Sequence, residues 1–95
     1  MLYEVVQVIP NDNYTVYVFF SNGIIKLYDV KPLLEKGIFS ILKDLAFFKE
    51  KCTVINNTLA WDRGGNYNEY ECLDIDPETI YEMSKTVEDP LVRIA

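Results

Sequence analysis

Tyr14-Thr15-Val16-Tyr17-Val18-Phe19-Phe20-Ser21-Asn22-Gly23-Ile24-Ile25-Lys26-Leu27-Tyr28 is the stretch whose reading decides the fold. Its two halves are dense in β-branched and aromatic residues, the types that fit a pleated, half-buried surface. Between them stands Asn22-Gly23, a pair that tolerates the positive φ angles of a two-residue hairpin. Upstream, Tyr3-Glu4-Val5-Val6-Gln7-Val8-Ile9 reads as another strand, and Pro10-Asn11-Asp12-Asn13 is turn chemistry. Residues 3–28 therefore read as a three-stranded antiparallel meander.

Beyond the meander the period changes. Pro32 suits a first helical turn, and Leu33-Leu34-Glu35-Lys36 stops at Gly37, read as a C-cap. Phe39, Leu42 and Ala46 recur at helical spacing, with Lys43 and Asp44 on the opposite side and Phe47-Phe48 at the exit. This segment is expected to cover one face of the sheet. Cys52-Thr53-Val54-Ile55 and Thr58-Leu59-Ala60-Trp61 read as short strands joined at Asn56-Asn57. Asp62 to Tyr70 reads as an exposed loop, and Glu71 to Ile75 alternates like a half-buried strand. Asp76 is expected to cap a final helix opened by Pro77 and Glu78, with Ile80, Met83 and Val87 as its apolar stripe. Asp89-Pro90 ends that pattern. The expectation is one α+β domain over residues 1–95, in two layers: the meander, a covering helical segment, a second set of short strands and a C-terminal helix. Its core spans about 3–87, with 88–95 as a loose tail.

The chain has 95 residues, 49% of them hydrophobic and 25% charged, a balance typical of globular domains. Nine basic groups face 15 acidic ones, for a net charge of −6. Residues 1–51 carry six of each sign, so the whole excess falls after residue 51. Such a half repels phosphate backbones and favours a basic protein partner, which argues against nucleic acid. No basic leader precedes an apolar run, and no run approaches a membrane span, so the expected setting is cytoplasmic, with Cys52 and Cys72 as unbridged thiols.

Most catalytic arrangements lack their parts. Without histidine there is no Ser-His or Cys-His pair, and Gly64-Gly65 lacks the spacing of a phosphate loop. The expectation is a non-enzyme with no cofactor and no metal. The alternative is a small ligand- or divalent-metal-binding regulator using carboxylates from Asp62 through Glu69, Glu71 and Asp74 to Asp76. A second alternative is a structural homodimer through an exposed sheet edge. Trp61, Arg63, Tyr67 and Tyr70 fall within ten positions and are the types enriched at binding hot spots, so they form the candidate partner surface.

Phe19-Phe20-Ser21-Asn22-Gly23, Gly37-Ile38-Phe39 with Leu42 and Phe48, Leu59-Ala60-Trp61 and Asp74-Ile75-Asp76-Pro77-Glu78-Thr79-Ile80-Tyr81 together resemble the small bacterial domain of unknown function family 2442. The resemblance covers residues 3 to about 85, and the stretch Asp62–Tyr70 is longer than in the shortest members. It implies a compact α+β domain, no assigned catalytic residue, and a partner encoded nearby in a toxin–antitoxin-like pair. DNA binding, known where relatives carry a helix-turn-helix, is not implied for this chain.

Overall fold

A computed structural model describes residues 3–65 and 71–91. Strands β1 (Val5–Pro10), β2 (Thr15–Phe20) and β3 (Ile25–Asp29) form the expected antiparallel meander. Alternation along β2 sends Val16, Val18 and Phe20 into the core, where they are buried. In β1 the pairing jumps from Val5↔Phe20 to Gln7↔Phe19, so Val6 is the extra residue of a bulge and points out, 59% exposed.

The hairpin between β2 and β3 differs from the expected two-residue turn. Gly23 N–H donates to Phe20 O at 3.0 Å, and Phe20 N–H to Ile24 O at 2.9 Å. The loop is therefore Ser21-Asn22-Gly23. Only Gly23 takes a positive φ, +89°, while the Asn22 side chain accepts from Ile24 N–H at 3.0 Å. This is the arrangement of a turn closed by a glycine bulge, in which the asparagine serves as a hydrogen-bond acceptor.

The middle of the chain is helical, in three short pieces. A 3₁₀ turn over Lys31–Leu33 and a 3₁₀ segment over Gly37–Lys43 precede helix α1 (Leu45–Lys51). Continuous helical spacing through residue 46 is thus corrected to a break at Asp44. There the backbone is extended, and the carboxylate accepts from Ala46 N–H at 3.1 Å and Phe47 N–H at 3.4 Å. Asp44 is the helix cap that the pattern of apolar positions conceals.

Strands β4 (Cys52–Ile55), β5 (Thr58–Asp62) and β6 (Cys72–Asp74) form a second antiparallel sheet in the order β4-β5-β6. Asn56 and Asn57 take φ of 54° and 62° between paired Ile55 and Thr58, the two-residue turn that their side chains tolerate. Every residue of β5 is buried. The sheets meet where Val5 N–H donates to Asn57 O at 2.9 Å. Across the core, Tyr14 contacts Phe48 ring to ring at 5.2 Å and its hydroxyl donates to Lys43 O. Tyr14 also carries φ of 62°, a strained setting for a bulky residue that these contacts hold in place.

Helix α2 runs over Pro77–Met83 and stops earlier than expected. Ile80 is buried, but Met83 is 76% exposed and Val87 lies beyond the helix. At Ser84 the backbone turns extended, and β7 (Lys85–Thr86) adds to β3 to complete a sheet ordered β1-β2-β3-β7. Val87 N–H donates to Ile25 O at 2.9 Å in the same ladder. Among the described residues, no helix is long and apolar enough to cross a membrane.

One lysine sits on the inner face of the sheet. Lys26 pairs with Val18 in register and is only 9% exposed. Its ammonium donates to Thr86 Oγ1 at 2.9 Å and lies 4.4 Å from the centroid of the Tyr81 ring. Tyr81 in turn stacks on Tyr3 at 4.1 Å and meets Phe20 edge-on at 5.0 Å. Lys26 thereby ties β3, α2 and β7 together.

Candidate functional site

A hollow with a largely apolar lining opens between three segments distant in sequence. Tyr28 and Asp29 end β3; Pro32, Leu33, Lys36 and Phe39 follow; Asp74, Ile75 and Asp76 join β6 to α2; Thr79 and Met83 lie one helical turn apart on α2. Its volume is about 630 Å³, within the range of ligand and peptide sites. A second, more polar hollow of about 470 Å³ adjoins it and shares Asp29 and Met83, adding Asn13, Thr15, Ser84 and Lys85.

The charges around the groove are unequal. Its lining carries three carboxylates, Asp29, Asp74 and Asp76, against one ammonium, Lys36. The Asp29 carboxylate is already engaged: Lys31 reaches it through both its backbone N–H and its ammonium, each at 3.0 Å. Partial burial raises the Asp29 carboxyl, but the two Lys31 hydrogen bonds and the lysine charge outweigh it and hold the group below the usual carboxylate range. Burial, aided by the nearby Asp29 charge, pushes the Tyr28 hydroxyl above its ordinary value and keeps it a neutral donor on the groove wall. Asp74 is exposed, and its carboxylate has no partner among the described residues.

Asp76 stands at the N-cap position of α2, but its carboxylate makes no hydrogen bond to the backbone there. It accepts instead from the Thr79 hydroxyl at 3.3 Å. Asp76 thus holds the expected cap position, with its carboxylate paired to the Thr79 hydroxyl on the groove rim in place of a backbone amide.

The expected aromatic surface does not assemble as read. Trp61 is 0% exposed. Its ring packs on Phe48 at 5.7 Å between centroids, and its indole N–H donates to Phe48 O at 3.1 Å. A place on β5, the middle strand of its sheet and buried throughout, makes it a core residue and removes it from any partner surface. Arg63 is exposed, and its Nε–H donates to Glu71 O at 3.1 Å, bridging the ends of the loop. Tyr67, Tyr70 and Glu69 lie outside the described residues.

Neither the carboxylates nor the thiols make a second centre among the described residues. No three His, Cys, Asp or Glu side chains gather as a metal would need. Asp62 is buried in β5 and accepts from Gly65 N–H at 2.9 Å, whereas Asp74 pairs with Ala60 in the adjoining strand. Cys52 and Cys72 occupy β4 and β6, on either side of β5. Two strand spacings, roughly 9–10 Å, exceed the reach of a disulfide, about 7 Å between Cα atoms, and both residues remain thiols. Burial pushes the Cys52 thiol up to about 12, the opposite of activation.

The chain matches the model of DUF2442, described as a protein of unknown function, over residues 5–86. It belongs to the DUF2442 family. No curated protein and no solved structure matches the chain. The matched span takes in every groove residue named above, from Tyr28 to Met83.

Proposed function

We propose that this DUF2442 protein is a non-enzymatic interaction module, the acidic member of a two-protein pair, and that it receives a segment of its partner in the groove beside α2. The observation that carries the reading is Met83: a large apolar side chain, 76% exposed, on the lip of an apolar groove. Ile38 and Ile41, on the 3₁₀ segment that supplies Phe39, are exposed apolar side chains as well. The absence of histidine and the raised Cys52 thiol support the non-enzymatic part. A homodimer through the β6 edge is less well supported, since antiparallel pairing of two copies would bring Glu71 and Asp74 of one against those of the other.

The test is photo-crosslinking in the native cell, with a benzophenone side chain at Met83 and a control at Val6, which is exposed on the β1 bulge. A discrete adduct from position 83 alone is expected. Equal adducts from both positions, or adducts from position 6 alone, would move the interface off the groove.

A further inference from the structure

We infer that the occupant of the groove is an extended protein segment in which an apolar side chain is followed closely by lysine or arginine, and that Asp74 with Asp76 reads the cation. The inference rests on the docking reading above and names the chemistry of the partner.

Three observations converge on it. First, the floor is apolar: Tyr28, Leu33, Phe39 and Ile75, with Met83 on the lip, offer no charge to an entering side chain. A Leu-, Met- or Phe-sized group buried there contributes about 1.5–3 kcal/mol. Second, the lining holds three carboxylates against the single ammonium of Lys36. Asp74 and Asp76 are two apart on extended backbone and therefore face the same way. Asp29 is neutralised by Lys31 and Asp76 is engaged only with a neutral hydroxyl, whereas Asp74 has no partner among the described residues. The cation-seeking part of the groove is thus the β6–α2 junction, whereas Lys36, on the segment that follows β3, repels a cation placed beside it. Third, the groove does not end at Met83. It adjoins the second hollow, where the Ser84 hydroxyl is buried without a hydrogen-bond partner among the described residues and can serve a peptide backbone, whereas the Thr15 hydroxyl is already held by Asn11 and Asn13. A path with an apolar section, a carboxylate rim and a polar continuation fits a polypeptide better than a compact ligand. The same carboxylates exclude phosphate-bearing partners.

Short random peptides displayed on phage and selected against the full-length chain provide the probe. The enriched peptides are then synthesised and titrated at low and high salt. The expected result is enrichment of Arg or Lys within two positions of Leu, Met or Phe, with affinity that falls as salt rises. Asp74→Asn weakens such a peptide by about fivefold, the upper range for a partly exposed ion pair. Replacing the peptide's cation by glutamine costs the same factor, and the two changes together cost no more than either one. Met83→Ala weakens all groove-binding peptides, charged or not.

The failures separate. Peptides that depend on Met83 but carry neutral or acidic flanks, or that ignore Asp74→Asn, overturn the cation-reading inference and leave the groove as a docking site. Peptides indifferent to Met83→Ala, or no enrichment at all, overturn the docking reading itself. Circular dichroism of both variants excludes misfolding, and the exposure of both side chains predicts native spectra.

Discussion

Replacing Trp61 by phenylalanine removes two things that the structure specifies separately and weakens a third. The indole N–H that donates to Phe48 O at 3.1 Å disappears, leaving a buried carbonyl without that donor. An orphaned buried acceptor costs about 1–3 kcal/mol. The smaller ring also gives up part of the packing of a side chain that is 0% exposed, and partial collapse around a large-to-small core change leaves a further cost of about 1–2 kcal/mol. The tilted contact with the Phe48 ring at 5.7 Å survives in weaker form. The sum is roughly 2–5 kcal/mol, a large share of the roughly 5–15 kcal/mol that holds a domain folded. Trp61 is the sole tryptophan, so fluorescence is lost with it. Urea unfolding followed by far-ultraviolet circular dichroism is the assay, with the slope checked to confirm that both proteins unfold in the same way. A loss below about 0.5 kcal/mol, the range of ordinary surface changes, would refute the enclosure of the indole and return Trp61 to the protein's exterior.

Three further outcomes follow from features described above. Asp44→Ala should cost about 1 kcal/mol by stripping two amide hydrogen bonds from α1, while Asp76→Ala should cost distinctly less; the reverse order in urea titrations would mean that Asp76 is the true cap. Gly23→Ala should cost about 1–2 kcal/mol through its φ of +89° alone, because a methyl group there meets no neighbour within 4 Å; an unchanged melting temperature would contradict the bulged hairpin. Stability should also fall in alkali. The Cys52 thiol rises from 9.0 to about 12 on folding, so its contribution is complete below pH 9 and is lost as pH climbs towards 12, by on the order of 4 kcal/mol. The raised Tyr28 hydroxyl acts with the same sign. Cys52→Ala should flatten that alkaline limb, and identical pH profiles would exclude Cys52 as its source.

Local chemistry was readable where it was self-sufficient. Asn56-Asn57 announces a turn because both residues carry the positive φ themselves, and the pleat of β2 is written in its alternating valines. Reading failed where a neighbour far along the chain decides the outcome. Nothing in Lys85-Thr86 declares a strand; the open edge of β3 makes it one. Met83 sits at a helical interval from Ile80 and looks like core, yet α2 turns that side of itself to the groove. Trp61 and Arg63 are two residues apart and meet opposite fates because β5 is the middle strand and ends at Asp62. The groove itself was invisible for the same reason, since residues 28–39, 74–76 and 79–83 become neighbours only through the fold.

Lys26 gives the molecule a built-in chemical reporter. The chain has seven lysines, and Lys26 alone is buried, its amine enclosed between the Thr86 hydroxyl and the Tyr81 ring. An acylating reagent at neutral pH reaches the exposed amines directly but meets Lys26 only when β7 lifts from β3. The ratio of acylation at Lys26 to that at Lys31 therefore counts how often the C-terminal strap opens, residue by residue in a mass spectrum, without any label having been engineered. A ligand that bridges Met83 to the far bank of the groove would register in the same measurement as a slower clock.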